Sequence, residues 1–117
     1  MSQLYLRQLL VGRDLAVDDR FARQMANYIY VIGDRDAKEA IVIDCAYAPK
    51  ELVDVVEADG MHLTGAVVTH YHADHAGGSI AGHPIEGVVS LLAERSVPVH
   101  IQSEERRWIA EWLCFGT

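Results

Sequence analysis

Gly65-Ala66-Val67-Val68-Thr69-His70-Tyr71-His72-Ala73-Asp74-His75-Ala76-Gly77-Gly78 is the stretch on which the reading of this chain turns. Its first five residues are small, apolar or β-branched, the pattern of a short strand buried on both faces. The strand then empties into a loop of histidine, aspartate and glycine. Sheets covered by helices place their chemistry at the carboxyl ends of their strands, where this loop lies. His70 and His72 are two apart, so an extended backbone turns both imidazoles to one side, where they can share a metal ion. Asp74 and His75 follow after a turn and can serve a neighbouring ion through a carboxylate oxygen and an imidazole nitrogen. Gly77 and Gly78 let the chain bend sharply and pass close beneath the site. Imidazole with carboxylate suits Zn²⁺ and tolerates Fe or Mn.

Working outward, the flanking segments alternate between strand and helix signals. Residues 4–11 and 27–32 read as strands, and residues 40–44 resume as a strand after the polar turn 33–39. The mixed, charged segment 13–24 reads as a loop. Pro49 opens a helix through Ala58, with Leu52, Val53, Val55 and Val56 on its apolar side and Gly60 closing it. Residues 86–95 read as a second helix, with Val88, Val89, Leu91 and Leu92 facing the core. Residues 97–101 read as a strand. Ser103 is placed to cap a last helix whose first turn carries Glu104 and Glu105, with Trp108, Ile109, Trp112 and Leu113 along one face. A hairpin followed by helix–strand–helix–strand–helix gives an α/β fold, a mixed sheet covered by helices.

Composition narrows the function. The 117 residues carry 10 basic and 17 acidic side chains, a formal net charge of −7, the wrong sign for a phosphate-backbone binder. No run approaches the ~20 apolar residues of a membrane span, and the first residues lack the basic and apolar regions of a secretory signal. The expectation is a cytoplasmic protein acting on a small-molecule substrate, with no nucleic acid and no membrane partner. Cys45 and Cys114 stand far apart in no metal-binding spacing and read as two reduced, buried thiols. His62, His83 and His100 read as surface or satisfied core residues.

The run from Thr69 to Gly78 matches without a gap the signature T-H-x-H-x-D-H-x-G-G, and the chain thereby resembles the metallo-β-lactamase-fold hydrolases. The segments Asn27-Tyr28-Ile29-Tyr30-Val31-Ile32-Gly33-Asp34 and Ala40-Ile41-Val42-Ile43-Asp44 look like that family's opening hairpin. Within the family the chain is similar to the glyoxalase-II-like branch of hydroxyacylglutathione hydrolases. The resemblance implies the N-terminal half of an αβ/βα sandwich, with residues 1–117 as one domain that stops before the C-terminal half. It makes His70 and His72 ligands of a first metal, and Asp74 and His75 ligands of a second. Asp44, which by its position alone reads equally well as a strand-end turn residue, becomes the aspartate beneath the site that orients ligands. A two-metal Zn²⁺ centre would activate a water and polarise a carbonyl, with Asp74 able to take or deliver a proton.

The family's remaining ligands, a third histidine, a bridging aspartate and a final histidine, have no match in these residues. The expected function is therefore a metal-dependent hydrolase of thioesters or related acyl compounds, weakly active or inactive as this chain alone. An iron oxygenase of the persulfide-dioxygenase type uses a similar motif and is the alternative within enzymes. A third reading is a non-catalytic metal-binding half-domain that pairs with a second copy through an uncovered sheet and the Trp108/Trp112 face.

Overall fold

The computed structural model describes residues 3–70, 72–80 and 83–108, with backbone alone at residues 74, 79, 80, 83 and 84. Among the described residues, seven strands and four helices follow one another as β1 (Leu4–Leu10), α1 (Arg20–Met25), β2 (Tyr28–Asp34), β3 (Glu39–Ile43), α2 (Pro49–Ala58), β4 (His62–Val68), α3 (Ala73–Ala76), β5 (Gly78–Ile80), β6 (His83–Ile85), α4 (Gly87–Glu94) and β7 (Val99–Ile101). The main sheet has the order β1-β2-β3-β4-β7. Its first two pairings are antiparallel, as hairpin and meander connections require. The β3–β4 and β4–β7 pairings are parallel, each bridged by a helical crossover. This is the mixed, helix-covered α/β sheet that the sequence implies.

Strand alternation sends Tyr5 and Leu9 of β1, Ile29 and Val31 of β2, and Ala40 and Val42 of β3 into one core, and a register shift in β4 after Leu63 brings Leu63, Ala66 and Val68 to the same side. From the helix layer α2 supplies Leu52, Val53 and Val56, and α4 supplies Val88 and Leu91. Each such aliphatic side chain, fully withdrawn from water, contributes about 1.5–3 kcal/mol of transfer free energy. The expected bounds of α2 hold to the residue, with Pro49 in the first turn where its missing N–H costs nothing. In α4, Val89 points outward at 44% exposure instead of into the core. Its neighbours Val88 and Leu91 already fill the inner stripe.

The opposite face of the sheet is exposed at β1 and β2. Leu6 faces Ile32 across β1 and β2, and Tyr28 and Tyr30 continue that face, all of them exposed. Trp108 is 38% exposed, while the expected partner ring of Trp112 lies outside the described residues, as do Ile109 and Leu113 of the expected last helix. No helix among the described residues is long and apolar enough to cross a membrane.

Three segments differ from the sequence reading. Residues 20–24, within the segment 13–24 expected as loop, belong to α1 (Arg20–Met25), because Asp19 caps it by accepting from Ala22 N at 3.0 Å. Strand β4 begins three residues earlier than expected, at His62, its first turn of alternation being half-exposed. The loop after the histidine motif is not plain coil: it holds α3 and then the short antiparallel pair β5–β6.

Candidate metal centre

The parallel pairing of β3 with β4 sets the site, because it ends both strands side by side. The ladder extends one residue past β3, where Asp44 N donates to Val67 O at 2.9 Å. Asp44 then turns out of the sheet with φ +58°. Aspartate is among the few residues other than glycine that enter the left-handed region readily. The turn drives the following Cys45, Ala46 and Tyr47 into the interior, all under 5% exposed. Burial there pushes the Cys45 thiol up to about 12, which makes it a packing residue and not a ligand or nucleophile.

Asp44, 8% exposed as a residue, is the buried acidic residue at the centre of the arrangement. Oδ1 accepts from Thr69 N at 2.8 Å, and Oδ2 accepts from Thr69 Oγ1 at 2.7 Å. Oδ2 also lies 2.9 Å from His75 Nδ1, which comes from the last turn of α3. Thr69 Oγ1 in turn lies 2.9 Å from His70 Nδ1. The rings of His70 and His75 are 4.1 Å apart between centroids, and His72 meets His70 edge to face at 4.8 Å.

One ligand atom from each of Asp44, His70 and His75 falls within 4.8 Å of the others. Imidazole and carboxylate are groups that hold divalent transition metals, and in this cluster Asp44 is already engaged by hydrogen bonds with Thr69 and His75. A carboxylate that accepts from the Nδ1–H of a histidine holds that ring in a fixed orientation.

Of the expected site residues, the fold gathers His70, His72, His75 and Asp44 at one end of the sheet. Asp74 lies in α3 between His72 and His75, and its side chain is outside the described atoms. His62 starts β4 at the opposite end of that strand. His100 lies on β7 beside Gly65. The side chain of His83 is outside the described atoms. Thr69 was given no role by sequence reasoning, yet it joins Asp44 to His70. The one available signal was a hydroxyl residue at the strand end directly before the first histidine.

The profile of the metallo-β-lactamase superfamily matches residues 22–112. This chain belongs to that superfamily. Among curated proteins it is similar to the human mitochondrial persulfide dioxygenase ETHE1, with 30% identity over 97 residues, covering 78% of this chain and 38% of that protein. It is also similar to the bovine hydroxyacylglutathione hydrolase-like protein, 33% identical over 72 residues, covering 61% of this chain and 37% of that one. The human hydroxyacylglutathione hydrolase-like protein is 40% identical over 53 residues, which is 45% of this chain and 18% of the relative. The matched region thus spans well under half of these relatives' length.

Solved metallo-β-lactamases share the fold. The enzyme from Staphylococcus aureus subsp. aureus COL superposes with a TM-score of 0.61 at 20% identity, covering 89% of this chain and 25% of that structure. The B3 metallo-β-lactamase BLEG-1 superposes with a TM-score of 0.62 at 22% identity, over 89% of this chain and 40% of that structure. The motif-bearing strand end, read from sequence as a metal site, therefore sits in a metallo-β-lactamase fold fragment.

Proposed function

We propose that this chain carries the metal-binding part of a metal-dependent hydrolase acting on a thioester or related acyl compound. The observation that supports the reading most is the convergence of His70 and His75 on the buried Asp44 at the carboxyl ends of β3 and β4. In this proposal His70 and His72 hold one ion, and Asp74 and His75 a second. A bound zinc ion would polarise the substrate carbonyl and bring a water to a pKa near ~7. Asp44 keeps the His75 ring in its bound orientation, and Asp74 takes or delivers a proton during acyl transfer. Four protein ligands fall short of three for each of two ions. The proposal therefore includes further ligands from outside these 117 residues and low activity for this chain alone.

A second reading is supported by one observation: the alignment with the persulfide dioxygenase extends over more of this chain than those with the hydrolase-like proteins. Elemental analysis of protein purified without chelator, together with assays on a thioester panel and oxygen uptake with a persulfide, separates the two. Zinc with at most weak thioester cleavage is the expected result. Iron with oxygen consumption replaces the hydrolase by the oxygenase, and a chain that takes up neither metal overturns both.

A further inference from the structure

The geometry points to Thr69 as a positioning residue that sets the tautomer of His70, so that Nε2 and not Nδ1 is the nitrogen presented to a metal. A threonine hydroxyl carries one hydrogen and two lone pairs, and a carboxylate can only accept. Oγ1 lies 2.7 Å from Asp44 Oδ2, so its hydrogen points to the carboxylate. Toward His70 Nδ1, 2.9 Å away, the same oxygen has only a lone pair to offer. The contact is a hydrogen bond only if His70 Nδ1 carries the proton. The neutral ring then has its lone pair on Nε2.

The same carboxylate oxygen reaches His75 Nδ1 directly at 2.9 Å and imposes the same tautomer there. Asp44 therefore fixes two imidazoles, one by direct contact and one through Thr69. An unrestrained neutral histidine favours the opposite form, with the proton on Nε2, so the relay works against the ring's own preference. Valine at this position keeps the branched shape and deletes the relay; serine keeps the hydroxyl. The inference rests on the proposed metal-binding reading for its purpose but not for its geometry.

The test is long-range proton–nitrogen correlation NMR of the metal-free chain labelled at histidine with ¹⁵N, at a pH where the imidazoles are neutral. His70 and His75 are expected to show the Nδ1–H pattern. In Thr69→Val, His70 moves toward the Nε2–H form while His75 keeps its pattern, and Thr69→Ser restores His70. Zinc affinity, read by competition with a chromophoric chelator, should fall about 10–100-fold in Thr69→Val and recover in Thr69→Ser. A His70 ring in the Nε2–H form in the unaltered chain overturns the inference, as does a Thr69→Val spectrum in which His70 is unchanged. If Thr69→Val does not fold, the unaltered chain and Thr69→Ser decide, since both must show Nδ1–H. An unaltered chain with the Nδ1–H pattern and no zinc binding supports the inference while removing the proposed function.

Discussion

Gly77 and Gly87 meet backbone against backbone, so closely that a Cβ on Gly77 would sit 2.5 Å from the Cα of Gly87. A Cβ on Gly87 would in turn collide with the carbonyl oxygen of Ala76. Both glycines are in the left-handed half of conformational space, at φ +104° and +70°. Gly87 N also donates to Ala46 O at 2.6 Å. The contact thus locks three pieces together: the end of α3 that carries His75, the start of α4, and the buried turn after Asp44.

Alanine at either position is expected to be far more costly than at Gly60, which has a positive φ but nothing within 4 Å of where its Cβ would stand. Gly60→Ala should lose only the left-handed penalty, about 1–2 kcal/mol. Gly77→Ala and Gly87→Ala add a backbone clash and should exceed ~3 kcal/mol each. Urea denaturation of the three variants checks this, and equal losses at all three positions would show that the close approach is absent.

Asp44 gives a second contrast. Asp44→Asn keeps the side-chain shape and the tolerance for φ +58°, and its carbonyl can still accept from Thr69 N. It cannot accept from both Thr69 Oγ1 and His75 Nδ1 as the carboxylate does. Metal affinity should fall about 10–100-fold with a native-like circular dichroism spectrum. Asp44→Ala leaves three donors without their acceptor and places alanine in a strained backbone, for a loss of about 2–4 kcal/mol in stability. Titration with zinc and urea melts of both variants separate the two effects.

The parts legible in the sequence are those written in short windows. Pro49, Leu52, Val53 and Val56 announce α2 to the residue because its burial follows the helical period. The histidine motif announces the site because its spacing is local. What escaped was non-local or too short. Helix α1 buries only Ala22 and so shows no period. The three-residue strands β5 and β6, one opening on Gly78 and the other holding Pro84, have no run of alternation to display. Asp44 and His75 are 31 positions apart, and only the parallel register of β3 with β4 brings them together. By position alone Asp44 reads as a turn residue, and it is that too.

Cys45 yields a prediction about reactivity. Burial raises its thiol from 9.0 to about 12, so the native thiolate population is lower by about a thousand-fold. In a Cys114→Ser background, modification by an aromatic disulfide reagent at mildly alkaline pH should be at least ~100-fold slower in the native state than in urea, and limited by opening of the fold. Labelling at the rate of the unfolded chain would place Cys45 at the surface.

The last prediction concerns pH and the far edge of the sheet. Tyr5 OH donates to Asp59 Oδ2 at 2.5 Å, tying β1 to the end of α2. Burial, and then the hydrogen bond to the Asp59 carboxylate and its charge, push the phenol from 10.0 to about 12. The folded state therefore holds this proton more tightly than the unfolded state. The stabilisation is fully present below about pH 10, declines as the unfolded chain ionises, and is lost as pH rises through about 12. Tyr5→Phe should lose about 1 kcal/mol at neutral pH, the net worth of one hydrogen bond, and should flatten the alkaline decline. Comparing urea midpoints of the two chains across that window isolates Tyr5 from the Cys45 thiol, which titrates in both. Parallel alkaline declines in the two chains would mean that Tyr5 ionises no later folded than unfolded.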